Sequence, residues 1–366
     1  MRVLVTGTDG YLGTLVAPYL IERGHEVVGV DTGYYKEGWL YHGQPVSPRT
    51  VAKDLRRLVV DDLRGYDAIV HMAELSNDPT GELAPNITYD INHRGSVHLA
   101  TLARQAGVPR FVYMSSCSVY GVAEQDVVDE TSAVNPQTSY AECKVLVERD
   151  LTGMAGDDFS PTFLRNATAY GASPRMRFDI VLNNLAGFAH TTGEIRMLSD
   201  GTPWRPLVHG LDIAQAIACS LEAPREVVHA QVFNVGDTRH NYQVRQVAEI
   251  VADTFPGCKL TFGDSGSDNR SYRVNFDKIA SSLPGFSCRW DARAGAEELR
   301  AVFERIDLTT ELFESRLYTR LKMLKHLLRT GQIDESFYWL DARTKPDAAA
   351  AAGQPAMPAE ALEAGA

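Results

Sequence analysis

Through the first half of the chain, short apolar runs rich in β-branched residues alternate with stretches of helical character. The runs are RVLVT, EVVGVD, RLVV, AIVHM and RFVYMSS, with PTFLR following after a gap. That rhythm predicts an α/β fold, a doubly wound parallel sheet with helices on both faces. Gly24 and Gly107 stand just before EVVGV and RFVYM, where helix C-termini belong. From about Thr168 the pattern loosens, and EIRML, QVFNVG, the helix-like VRQVAEIVADTF and KLTFG interleave. We read this as a smaller mixed α/β portion, with the strand VFNVG returning to the main sheet. The division is then 1–167 with 206–236 for the first unit, and 168–205 with 237–345 for the second.

Near the C-terminus, ESRLYTRLKMLKHLLRTGQ places Leu317, Leu321, Leu324 and Leu328 on one stripe of a helix. Arg316, Arg320, Lys322, Lys325 and Arg329 surround it and are expected to form the solvated face. Residues 346–366, rich in alanine and poor in large apolar groups, are expected to be a disordered tail.

Composition narrows the classes. With 44% hydrophobic and 23% charged residues among 366, the chain has the make-up of a globular protein. No stretch approaches the roughly 20 apolar residues of a membrane helix, and the start MRVLVTG runs straight into strand-like sequence. No membrane association and a cytoplasmic location are the expectations. The five cysteines are scattered without a Cys-x-x-Cys pair, so neither a disulfide framework nor a zinc site is indicated. The ten histidines show no metal-ligand spacing, and no metal is expected. A net charge of −11 disfavours a nucleic-acid partner but leaves room for a small anion held by a few arginines.

TGTDGYLG follows the first strand and opens a helix, setting Gly7, Gly10 and Gly13 three apart, with Tyr11 and Leu12 between the last two. Glycine there permits a tight turn, close approach of backbone to a pyrophosphate, and close packing of helix on sheet. The helix N-terminus offers free N–H groups and a favourable dipole to phosphates. Three glycines alone are weak evidence, since glycine also serves simple turns. The second strand, however, ends at Asp31, 18 residues after Gly13, near the spacing at which a carboxylate bonds the adenosine ribose hydroxyls. That carboxylate would repel a 2′-phosphate, so NAD is the expected cofactor, in a Rossmann-type domain. Asp62 and Leu63, after the run RLVV, are expected to border the adenine.

Tyr140 and Lys144, in SYAECK, are four apart in a helical stretch and project from one face. An ammonium near a phenol favours the phenolate, which makes Tyr140 a candidate proton shuttle. Alone, the pair reads as an ordinary surface pair. FVYMSSCSVYG adds Ser115, Ser116 and Ser118 at the C-terminal end of a parallel strand, where open α/β sheets bind ligands.

From residue 1 to about residue 280 this ordered set resembles the extended short-chain dehydrogenase/reductase family, the group of nucleotide-sugar epimerases, dehydratases and reductases. The resemblance implies Ser116 as the hydroxyl partner of the reacting oxygen, with Ser118 beside it, Tyr140 as acid/base, and Lys144 as orienter of tyrosine and nicotinamide ribose. It implies cofactor contacts from Ala73, in HMAE, and from Asn92, in YDINHRGSVHL. On the substrate side it implies Asn184 of NNL and Arg205 of PWRPLVHGLD, upstream of His209 and Asp212. It also implies a homodimer through the helices that hold Asn92 and Tyr140.

Four departures stand out. Glu74 replaces the second alanine of the family's His-x-Ala-Ala. Thr168 and Ala172 replace the usual asparagine and proline around Tyr170-Gly171. The usual second phosphate arginine lies upstream of Arg270 and Arg273, of which Arg273 is kept as the substrate-side candidate. Cys117 and Ser118 stand where dehydratases carry Asp-Glu, which leaves 4,6-dehydration without its usual means of eliminating water; Cys117 is read as a packing residue. The expected function is an NAD-dependent nucleotide-diphosphate-sugar epimerase working through a transient keto sugar. The alternatives are an NAD(P)H-consuming ketoreductase of a keto-deoxy nucleotide sugar and, third, a non-catalytic dinucleotide sensor.

Overall fold

A computed structural model describes residues 1–340 apart from 43–45, 77–80, 82–83, 123–124 and 265–270. The expected tail and Arg270 lie outside the described residues. Seven strands form the central sheet: β1 (Arg2–Thr6), β2 (Glu26–Asp31), β3 (Arg49–Ala52), β4 (Ala68–His71), β5 (Arg110–Ser116), β6 (Ser160–Asn166) and β7 (Gln231–Val235). Their order is β3-β2-β1-β4-β5-β6-β7, and every neighbouring pair is parallel. This is the doubly wound α/β sheet that the strand rhythm predicts, and VFNVG does lie in it, beside β6.

The principal helices are α1 (Gly13–Glu22), α2 (Gly95–Gln105), α3 (Ser139–Met154), α4 (Val181–Thr192), α5 (Gly210–Glu222), α6 (Val244–Thr254), α7 (Ala292–Ile306) and α8 (Arg320–Arg329). Successive strand residues point to opposite faces, so β1 sends Val3 and Val5 one way and Leu4 the other. Val3 and Val5 join Val16, Leu20, Ile213 and Ile217 of α1 and α5. Leu4 joins Leu99, Ala103, Val147 and Leu151 of α2 and α3. A third core, including Leu182, Val247, Val251, Leu299 and Phe303, binds α4, α6 and α7 into the smaller portion. Gly24 and Gly107 follow the ends of α1 and α2 with φ of 86° and 77°, a left-handed conformation that glycine adopts without penalty.

Two expectations need correction. RLVV is not a strand: Leu58 is buried and Val59 is 54% exposed on irregular backbone, and the third strand is the edge strand RTVA at 49–52. The basic helix is shorter than its leucine pattern, and its buried residues are Arg320, Met323, Leu324 and Leu327. Arg320 therefore leaves the solvated face; its guanidinium lies 4.0 Å from the Tyr35 ring centroid. Among the described residues no helix is long and apolar enough to cross a membrane.

Candidate active site

The C-terminal ends of β1, β2, β4, β5 and β6 open into one cavity of about 1030 Å³, continued by the smaller portion. Its wall brings together Gly7, Gly10, Tyr11, Leu12, Gly13, Asp31, Ala73, Ser116, Ser118, Tyr140, Lys144 and Arg205. Asn92, Asp62, Leu63, Asn184 and Arg273 are not on it.

At the glycine turn, Gly7 has φ of 79° and its N–H donates to Val30 O at 2.8 Å. A Cβ on Gly13 would stand 2.1 Å from Gly7 O, so this helix start admits no side chain. Asp31 accepts from the N–H of Asp9 (3.0 Å) and of Gly33 (2.7 Å), which fixes its carboxylate at the strand end. Burial pushes that carboxyl up, while those N–H groups and the nearby Arg175 and Arg320 draw it back. Tyr11 turns its hydroxyl inward, donating to Gly171 O at 2.8 Å.

Asp62 and Leu63, expected to border the adenine, are not on the cavity wall beside Asp31. Because the true third strand ends at Ala52, the residues delivered to the wall are Lys53, Asp54 and Leu55. Leu63 is fully buried in the core, and Asp62 pairs with Lys53 Nζ at 2.6 Å. Tyr34, Tyr35 and Arg320 also face this end. The segment beyond α8 packs over it: Trp339 Nε1 donates to Thr32 O at 2.6 Å and the Tyr34 hydroxyl to Phe337 O.

Asn92 lies in a widened turn, Tyr89–Arg94, and grips the chain after β4: its Oδ1 accepts from Leu75 N (2.8 Å) and its Nδ2 donates to Leu75 O (3.0 Å). It shapes the loop that carries Ala73 and Glu74. His71 bridges Thr6 Oγ1 (2.7 Å) and Ser96 Oγ (2.8 Å) beneath that loop. Burial, helped by the Lys144 charge, holds it neutral with a pKa lowered to about 3.

The three serines after β5 separate. Ser115 donates to Glu148, which is paired with Arg165 at 2.7 Å. Ser116 Oγ accepts from Ser118 N at 3.1 Å on the cavity wall. Among the described residues, Ser118 Oγ and Asn166 Oδ1 are buried without a hydrogen-bond partner, and both residues line the cavity. Cys117 points the other way, into the core, where its thiol donates to Arg165 O at 3.1 Å and burial pushes its pKa up.

Helix α3 is capped by Thr138, whose side chain accepts from Ala141 N at 3.2 Å, and its first turns bring Tyr140 and Lys144 to the wall. Lys144 Nζ stands 5.2 Å from the Tyr140 ring centroid. The lysine is buried, donates to Met114 O and forms an ion pair with Glu74 Oε2 at 2.6 Å.

Arg205 lines the cavity, with its guanidinium over the Tyr272 ring at 5.6 Å. Arg273 instead pairs with Asp126 and lies over Trp204 at 5.1 Å. Asn184 donates to Phe178 O at 2.9 Å, and Asn183 accepts from Gly171 N at 3.0 Å. His209 is fully buried, stacks on Trp290 at 4.2 Å and pairs with Glu298 at 2.9 Å, while Asp212 accepts from Arg289 N and Trp290 N. His209 and Asp212 thus tie the start of α5 to the chain leading into and along α7.

Sequence reasoning missed Asp54, Leu55, Asn166, Arg177 and Asp179 on the wall. Arg177 pairs with Asp179 at 2.8 Å and donates to Ser76 Oγ at 3.1 Å. The run SPRMRFD, with two arginines and an aspartate after the β6 region, was the available signal. Among the described residues no His, Cys, Asp and Glu cluster has the makings of a metal site.

The residues present fit a dinucleotide. The bare glycine backbone at the start of α1 leaves the helix N–H groups approachable, Asp31 stands at the next strand end, and Ser118 and Asn166 hold orphaned polar atoms farther along.

The chain is also similar to known proteins. Residues 3–236 match the NAD dependent epimerase/dehydratase family. The chain is 29% identical over 265 residues to a UDP-glucose 4-epimerase of Corynebacterium glutamicum, covering 68% of this chain and 79% of that one. It is 26% identical over 339 residues to a UDP-glucose 4-epimerase of Bacillus subtilis, covering 82% and 95%. Among solved structures, MoeE5 in complex with UDP-glucuronic acid and NAD superposes with a TM-score of 0.72 at 26% identity, covering 83% and 99%.

Proposed function

The chain belongs to the NAD dependent epimerase/dehydratase family, and from that premise we propose that it is an NAD-dependent epimerase of a nucleotide-diphosphate sugar. The family membership makes it an NAD-dependent enzyme; the choice of epimerisation rests on this chain's own residues. When bound, NAD supplies a reversible hydride acceptor.

Tyr140 removes the proton of a sugar hydroxyl and later returns one, aided by the ammonium of Lys144, whose Nζ lies 5.2 Å from its ring. Ser116 and Ser118 hold the reacting oxygen from the end of β5. Asp31 receives the adenosine ribose, and the start of α1 faces the pyrophosphate. Arg205, on the wall of the smaller portion, is the cation for the substrate diphosphate. The pair Cys117-Ser118 carries the choice of reaction. Cys117 is sealed in the core and Ser118 bears only a hydroxyl, so no acid side chain at these two positions reaches the sugar to expel water. The relatives that are UDP-glucose 4-epimerases support the same choice. The same reading pairs two copies through α3, which holds Tyr140, and the helical stretch Tyr89–Gln105, which holds Asn92.

Replacing Tyr140 by Phe tests the assignment. The variant is expected to retain dinucleotide and to lose turnover about 10²–10⁴-fold. Turnover within a factor of about three of the unmodified protein would remove Tyr140 from the mechanism.

A further inference from the structure

Among the described residues, Glu74 is the acidic side chain seated directly against the Lys144 ammonium, at 2.6 Å, with both side chains almost wholly buried. Its other oxygen accepts from the Tyr113 hydroxyl at 2.7 Å, and the residue lines the cavity. Tyr113 in turn lies under the lysine, 4.7 Å from Nζ to its ring centroid. Among the described residues, the other ionisable groups set against Lys144 are His71 from β4, held neutral, Tyr113 from β5, and Tyr140 and Cys143 from its own helix. Arg177 faces Tyr140 from the segment after β6 but is already paired with Asp179.

Among the described residues, the charges seated in this cluster are the Lys144 ammonium and the Glu74 carboxylate; burial pushes the Glu74 carboxyl up, while the lysine at 2.6 Å and the Tyr113 hydroxyl draw it back toward the ionised form. Burial opposes the lysine's charge, but the Glu74 carboxylate, joined by the Tyr140 and Cys143 side chains, outweighs it, so the ammonium is raised above its ordinary value. A buried pair of this kind strongly resists losing one partner, because the survivor is left charged and desolvated.

Resting on the proposed epimerase function, in which Lys144 attends the nicotinamide ribose, we propose that Glu74 is a positioning residue that sets the redox preference of the bound cofactor. It pins the lysine from below and cancels its charge. The nicotinamide ring is cationic when oxidised and neutral when reduced. A lone ammonium beside it favours the reduced form, and the Glu74–Lys144 pair removes that bias. An enzyme that must begin each turnover with oxidised cofactor benefits from this neutrality.

The test uses NAD+ and NADH themselves. Full-length protein and its Glu74→Gln, Glu74→Ala and Glu74→Asp variants are brought to equilibrium with an equimolar mixture of the two forms. Free dinucleotide is removed, and the bound forms are released and quantified. Loss of the carboxylate is expected to raise the bound NADH-to-NAD+ ratio about tenfold in both Gln and Ala variants, equivalent to about 30 mV for a two-electron couple. Glu74→Asp, which keeps the charge, should stay within about twofold of the unmodified protein. A merely structural role would weaken both forms alike and leave the ratio unchanged; that result, with dinucleotide still bound, overturns the proposal. Failure of the unmodified protein to take up either form would instead overturn the functional reading on which it rests.

Discussion

Asp9 is placed between Gly7 and Gly10 of the phosphate turn, largely buried and with its own N–H bonded to the Asp31 carboxylate at 3.0 Å. Burial, and then the Asp31 charge, raise its carboxyl from 3.8 to about 6, with Arg175 opposing. The folded protein thus holds this proton more tightly than the unfolded chain does. Below the unfolded value both states are protonated and Asp9 costs nothing. As pH rises from about 4 to about 6, the unfolded chain ionises freely and the folded state falls behind, until the full penalty is present. A displacement of about two pKa units corresponds to about 3 kcal/mol. Asparagine is nearly isosteric and uncharged, so Asp9→Asn should raise the unfolding free energy by up to about 3 kcal/mol near pH 7.5 and by little near pH 4. Urea denaturation of both proteins across this range measures the difference. A gain independent of pH, or one that is larger in acid, would refute the reasoning.

Three other outcomes are expected from the same structure. Gly13→Ala, whose Cβ would stand 2.1 Å from Gly7 O, should lose co-purifying dinucleotide and about 1–3 kcal/mol of stability; mass spectrometry of released cofactor and a denaturation midpoint check both. Arg165→Met strands Glu148, its buried partner at 2.7 Å, and should cost about 3–5 kcal/mol, read from the urea midpoint. The His71 ring, lowered to about 3 by burial and by Lys144, should show no change in its NMR shifts between about pH 5 and pH 8.

The sheet was legible because strands buried on both faces are written as unbroken apolar runs, as in Val3–Val5 and Ile69–Val70. The edge strand Arg49–Ala52 was not, because only one neighbour covers it and its residues are largely exposed. The apolar Leu58-Val59-Val60 nearby imitated a strand, and the adenine-side residues were displaced to Asp62 and Leu63 in consequence. The glycines and the Tyr140–Lys144 pair announce themselves by fixed offsets within single elements, and Asp31 and Ser116 by standing at strand ends. Asn92, Asn184 and Arg273 have no such internal check. Each spends its polar groups on chain nearby: Leu75 for Asn92, Phe178 for Asn184, Asp126 for Arg273. Arg320 shows the limit of helical periodicity, since a basic residue on the expected solvated face is buried against Tyr35 by the tertiary packing of α8.

Self-recycling epimerisation is tested by product analysis without added cofactor or reductant. Purified protein is incubated with a panel of UDP- and dTDP-sugars, and the products are resolved by chromatography and mass spectrometry. A self-recycling epimerase yields a stereoisomer of unchanged mass from at least one sugar with no net change in nicotinamide absorbance, and Tyr140→Phe yields no stereoisomer. A product lighter by one water, or turnover only with stoichiometric consumption of a reduced nicotinamide, would contradict it.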